Sequence, residues 1–194
     1  MSTLPIRRFL GYLIERTVDG WRHLLLTTNW DSLLQREIDI AFPEASPSPG
    51  IEGPFHLNGT VDDLSGDLRG DHSLPRRSPF LLEDDPEEQR TQTVEGNYAF
   101  GRMICREVFV VVGMSFECQT DKFLLRHLNG VQRDLPIGES LWVIVNRNRS
   151  ALDLVSSRIQ KALPRAKVSP VCSTFSRWQE AGYPELEAEG VLGG

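Results

Sequence analysis

The sequence predicts a doubly wound α/β domain, with a mainly parallel sheet of about five strands and helices on both faces. Two observations carry this expectation. Short, strongly apolar runs, Leu24-Leu25-Leu26, Val108-Phe109-Val110-Val111-Val112 and Leu141-Trp142-Val143-Ile144-Val145, read as buried strands. Each is followed by a segment with apolar residues at helical spacing, and strands alternating with helices place the helices on both faces of a parallel sheet. A length of 194 residues suits one ordinary domain with a two-sided core, so a single domain over 1–194 is expected.

Taken in order, Ser2 or Thr3 caps a first helix, Pro5 suits its first turn, and Phe9, Leu10, Leu13 and Ile14 recur at helical spacing until Gly20. The strand at Leu24 follows. Leu33, Leu34 and Ile38 then mark a second helix. Residues 43–54 are rich in Pro, Ser and Gly and read as an exposed loop. Alternation from Phe55 to Val61 suggests a short strand. Residues 62–97 are polar and charge-dense and read as an insertion that touches the core only at its apolar islands. Its acidic run from Glu83 to Glu88 lacks the glycine and the alternating ligands of a calcium loop, and suits a solvated helix start.

Phe100, Met103 and Ile104 suggest a helix before the run Val108 to Val112, which reads as an interior strand because it is apolar throughout. Thr120 or Asp121 caps the next helix, with Phe123, Leu124, Leu125 and Leu128 inward. The strand Leu141 to Val145 ends in Asn146. Leu152, Leu154, Val155 and Ile159 mark a helix that stops near Pro164, Ala166 to Val171 is a last strand, and residues 176–194 form a terminal helix or tail broken at Gly182 and Pro184.

Composition narrows the classes of function. A net charge of −6 and scattered basic residues oppose nucleic-acid binding, which needs a clustered basic face. Cys105, Cys118 and Cys172 are odd in number, far apart and without a C-x-x-C pair, so neither a disulfide framework nor a metal site is expected. No apolar run approaches the roughly 18 residues of a membrane span. Arg7-Arg8 before a short apolar segment resembles a signal peptide only superficially, because Glu15-Arg16 interrupts it. A reducing cytoplasm is the expected location.

Polar residues gather where the predicted strands end. Thr27, Asn29 and Asp31 follow the first, Gly113 and Ser115 the strand Val108 to Val112, and Asn146 the strand at Leu141. Ligands of open α/β sheets bind beyond the carboxyl ends of strands, so these are candidate binding residues. The plainer role for Asn29 and Asp31 is to cap the next helix.

Three of these segments together resemble the sirtuin-like domains, especially bacterial ones without a zinc ribbon, over roughly Trp21 to Val171. Thr27-Thr28-Asn29-Trp30-Asp31 matches the family's T-Q-N-x-D motif at Thr, Asn and Asp, and Asp31-Ser32-Leu33-Leu34 resembles the helix start that follows it in bacterial relatives. Gly113-Met114-Ser115 matches a G-x-S motif that contacts the cofactor ribose, and Val145-Asn146 an I-N motif on the adenosine side. The resemblance implies a Rossmann-like fold and an NAD or ADP-ribose ligand bound through Thr27, Gly113, Ser115 and Asn146. It implies catalytic roles, if activity remains, for Asn29 and Asp31.

Two departures shape the functional expectation. The family's H-G pair, whose His is the general base, corresponds here to Asn58-Gly59, and a carboxamide cannot accept a proton near neutral pH. His56 shares a strand face with Asn58 but is displaced by about 6 to 7 Å along the strand, which near-attack geometry tolerates poorly. The family's opening strand and its Gly-rich phosphate loop are also missing ahead of Pro5, which implies a domain shortened at its N-terminus. An uncovered sheet edge would then call for a homo-oligomer or a hetero-partner. The expectation is a sirtuin-like domain of degenerate catalytic competence that acts in binding or assembly. The alternative is an NAD-hydrolysing enzyme of the bacterial antiphage-defence type completed by a partner chain. A deacylase is disfavoured because residues 62–97 offer no cysteine for a zinc module.

Overall fold

The computed structural model of the chain describes residues 4–18, 20, 22–27, 33–41, 50–56, 101–103, 106–117, 119–134 and 140–188. The architecture is α/β, and among the described residues there are five strands, all of whose pairing is parallel. The strands form two hydrogen-bonded groups, one of two strands and one of three. The chain divides into two compact units, Met1–Gly101 and Arg102–Gly194.

The first unit holds α1 (Pro5–Val18), β1 (His23–Thr27), α2 (Leu33–Ala41) and β2 (Ile51–His56). In α1, Phe9, Leu10 and Leu13 are buried, as their spacing predicts, while Arg8 and Glu15 face solvent. The helix packs against α2. Arg7 of α1 pairs with the largely buried Glu37 of α2 through two nitrogens of its guanidinium, and that hydrogen bond raises the arginine's already high pKa.

β2 begins at Ile51, inside the stretch read from sequence as an exposed loop over 43–54, and Ile51 is buried. The composition misleads here because Gly53 and Pro54 are strand residues at an irregularity. Leu24 is level with Glu52 and Leu26 with Phe55, so β2 carries one extra residue between them. Gly53 has φ +102, and a Cβ on it would stand 2.5 Å from the carbonyl oxygen of Leu25. Only glycine fits that close approach. The strand ends at His56, and the rest of the predicted run to Val61 lies outside the described residues, as does the predicted insertion over 62–97.

The second unit runs β3 (Val108–Val112), α3 (Gln119–Asp134), β4 (Leu141–Asn146), α4 (Arg149–Ala162), β5 (Lys167–Cys172), α5 (Phe175–Glu180) and α6 (Pro184–Ala188). The strand order β3-β4-β5 keeps an unbroken register, from Val108 beside Leu141 to Val112 beside Val145, and from Leu141 beside Lys167 to Asn146 beside Cys172. The interior strand is β4, with Leu141 to Val145 all buried, whereas β3 is only half-buried and Val112 is 47% exposed. The apolar run of β3 therefore does not mark the centre of this ladder, which the flanking neighbours of β4 decide. Pro170 sits in β5, whose described pairing is with β4 alone, and a residue without an N–H is tolerated there.

Trp142 anchors this core. Its ring stacks on Phe109 at 4.3 Å, meets Phe116 edge-on at 6.3 Å, and its indole N–H donates to Ser140 Oγ at 3.1 Å. On α4, Leu152, Val155 and Ile159 face inward against β4 and β5, while Leu154 does not. Gln119 already starts α3, so Thr120 and Asp121 lie within its first turn and not at its cap. The C-terminal segment is no loose tail over its described length. Trp178, Tyr183 and Leu186 are buried, and Trp178 donates its N–H to Glu185.

Candidate functional site

Because β3, β4 and β5 run parallel in register, their carboxyl ends come out level. Gly113 follows Val112, and Asn146 follows Val145, which is Val112's partner. Cys172 lies beside Asn146. The rim of this unit thus brings Gly113, Ser115 and Asn146 to one end of one ladder.

Gly113 has φ +72, a conformation that side chains with a Cβ disfavour, so glycine turns the chain out of β3. Phe116 also has positive φ, at 54°, which costs a non-glycine residue roughly 1–2 kcal/mol. The ring is 1% exposed and packs edge-on against Trp142, and that burial offsets the cost. The turn is thereby pinned from below. From above, Ser115 Oγ accepts a hydrogen bond from the Glu117 N–H at 3.3 Å. Arg158 of α4 donates to the Ser115 carbonyl at 2.7 Å and pairs with Glu117 Oε1 at 2.9 Å.

Asn146 Oδ1 accepts from the Asn148 N–H at 2.9 Å. Asn148 in turn caps α4, its Oδ1 accepting from the Ala151 N–H at 3.1 Å. The side-chain oxygen of Asn146 thus shapes the turn that leads into α4. Beside it, the thiol of the exposed Cys172 reaches the Arg147 carbonyl at 4.0 Å. Thr174 caps α5 by accepting from the Arg177 N–H.

In the first unit, Thr27 ends β1 and His56 ends β2, and the two are direct partners in the parallel ladder. Thr27 is half-buried; for His56 the description stops at the backbone. Asn29 and Asp31 lie outside the described residues. Each unit therefore places its own candidates at strand carboxyl ends, Thr27 with His56 in one and Gly113, Ser115 and Asn146 in the other.

Sequence reasoning missed Glu117, Asn148 and Arg158. Asn148 carried a readable signal, an Asn directly before a helical run. Arg158 carried none, because it stands 43 residues from Ser115 and only the packing of α4 brings it there. Among the described residues no group of three or more His, Cys, Asp or Glu side chains is placed to hold a metal ion, and no described helix is long and apolar enough to cross a membrane. The described rim of β3, β4 and β5 offers the hydroxyl of Ser115 and the carboxamide of Asn146 beside the exposed Arg147, and the carboxylate of Glu117 is engaged by Arg158. Such an arrangement suits binding of a polar, hydroxyl-bearing molecule more than proton transfer. No family model, curated protein or solved structure matches the chain.

Proposed function

We propose that the chain is a sirtuin-like domain of degenerate catalytic competence, a Rossmann-like sheet of about five strands that retains part of a pocket for NAD or ADP-ribose and acts in binding or assembly. The observation that carries this reading is the level exit of Gly113 and Asn146 from adjacent parallel strands, where open α/β sheets take their ligands. Gly113 lets the backbone come close to the ligand, while Ser115 and Asn146 offer a hydroxyl and an amide to its sugar. No metal takes part, and neither a nucleic acid nor a membrane is a partner. The setting is cytoplasmic, and a second copy or a hetero-partner covers the sheet edge.

Calorimetric titration with NAD, ADP-ribose and adenosine tests the reading. Binding of ADP-ribose that weakens in Asn146→Ala supports it. Absence of binding for all three at millimolar ligand leaves only a scaffold role.

One observation favours the NAD-hydrolysing alternative, namely that Thr27 lies directly beside His56 at the end of the first ladder. In that reading Asn29 and Asp31 position water and ribose, and His56 is the base. NAD consumption by the purified chain, alone and with a partner that supplies a phosphate loop, distinguishes it, and loss of turnover in Asn29→Ala supports it.

A further inference from the structure

We propose that Arg158 is a positioning residue, which holds the turn from Gly113 to Glu117 in its ligand-ready shape from the helix that follows the neighbouring strand. The turn from Gly113 to Glu117 is irregular backbone. It leaves β3 through two left-handed residues, Gly113 and Phe116, and its outer side is exposed at Gly113, Ser115 and Glu117. A segment of this kind, left to itself, samples other conformations, because few buried contacts oppose its opening. The buried Phe116 ring ties it to the core.

Arg158 supplies the second tie. One guanidinium nitrogen donates to the Ser115 carbonyl at 2.7 Å and another to Glu117 Oε1 at 2.9 Å. The two contacts straddle Phe116, so the planar fork grips the peptide carbonyl before the left-handed residue and the side-chain carboxylate after it. A lysine offers rotatable donors on a compact ammonium and holds two such acceptors less rigidly than the planar fork. Arg158 emerges from the middle of α4, whose Leu152, Val155 and Ile159 are buried, so the fork is held on a rigid support. An ordinary surface ion pair contributes little to stability. Its place here points instead to preorganisation. The carbonyl that it grips belongs to Ser115, and that residue's hydroxyl is the group assigned to the ligand.

The ligand arm of this inference rests on the nucleotide reading, whereas the turn arm does not. The experiment compares amide chemical shifts and heteronuclear NOEs of residues 113–117 in the whole chain with those in Arg158→Gln, Arg158→Lys, Glu117→Gln and Arg149→Gln. Arg149 pairs with Asp153 on the same helix and serves as the control for loss of an α4 ion pair. Arg158→Gln is expected to lower the NOEs of residues 114–117 without changing the melting temperature, with Glu117→Gln and Arg158→Lys intermediate and Arg149→Gln unchanged. If the ordered turn falls to about a tenth of the population, apparent ADP-ribose affinity falls about tenfold. Unchanged NOEs in Arg158→Gln overturn the inference, whatever the ligand does. Lowered NOEs with no ADP-ribose binding even to the wild type sustain the clamp and overturn the nucleotide reading instead. Lowered NOEs with undiminished ADP-ribose affinity overturn the positioning role.

Discussion

Ser140 and Trp142 show how a single polar contact specifies the core beneath the rim. Both are about 1% exposed, and the indole N–H of Trp142 has the Ser140 hydroxyl oxygen as its acceptor. Ser140→Ala removes that acceptor and strands a buried donor, which costs about 1–3 kcal/mol. Denaturant unfolding followed by tryptophan fluorescence measures the loss. Above this contact, the Trp142 ring carries Phe109 and Phe116, so the same residue that stabilises β4 also seats the turn bearing Ser115. At the rim proper, the side-chain oxygen of Asn146 forms the turn to Asn148, and in the proposed reading its amide nitrogen is the group offered to the ligand.

At the scale of elements, spacing was enough to place most helices and strands, and burial then sorted their faces. The α4 pattern shows the limit. Leu152, Leu154, Val155 and Ile159 all look like core from sequence, but Leu152 is fully buried and Leu154 is 47% exposed. Leu152→Ala is expected to cost about 2–5 kcal/mol, while Leu154→Ala stays within about 0.5 kcal/mol; paired denaturation curves check the contrast. The start of β2 was illegible for a different reason. Gly and Pro normally signal a loop, yet Gly53 is present because the Leu25 carbonyl passes where a Cβ would sit. Gly53→Ala combines that clash with a left-handed φ and is expected to destabilise by more than about 1 kcal/mol, read as a lowered midpoint in urea. The apolar run of β3 reports that a strand is buried somewhere, not its place in the ladder, and among the described residues it is β4 that has neighbours on both sides. Of the candidate site, the strand-end residues Thr27, Gly113, Ser115 and Asn146 were legible, since local sequence marks where strands stop. The residues that hold them, Arg158 above all, come from distant elements and leave no local trace.

For the whole molecule, function turns on what the strand carboxyl ends collect. Edge strands attract pairing, and the proposed cover for the sheet edge predicts that the chain sediments as a dimer or a higher complex at micromolar concentration. A clean monomer mass, with no partner recovered, contradicts that proposal. The central claim is that the carboxyl ends of the parallel strands retain part of a nucleotide pocket. It is tested most directly by residue-resolved NMR titration of the intact chain with ADP-ribose. Saturable amide shifts concentrated at Gly113, Ser115 and Asn146 are expected. Shifts that are absent at millimolar ligand, or that fall at the opposite end of the strands around Arg165 and Lys167, contradict it.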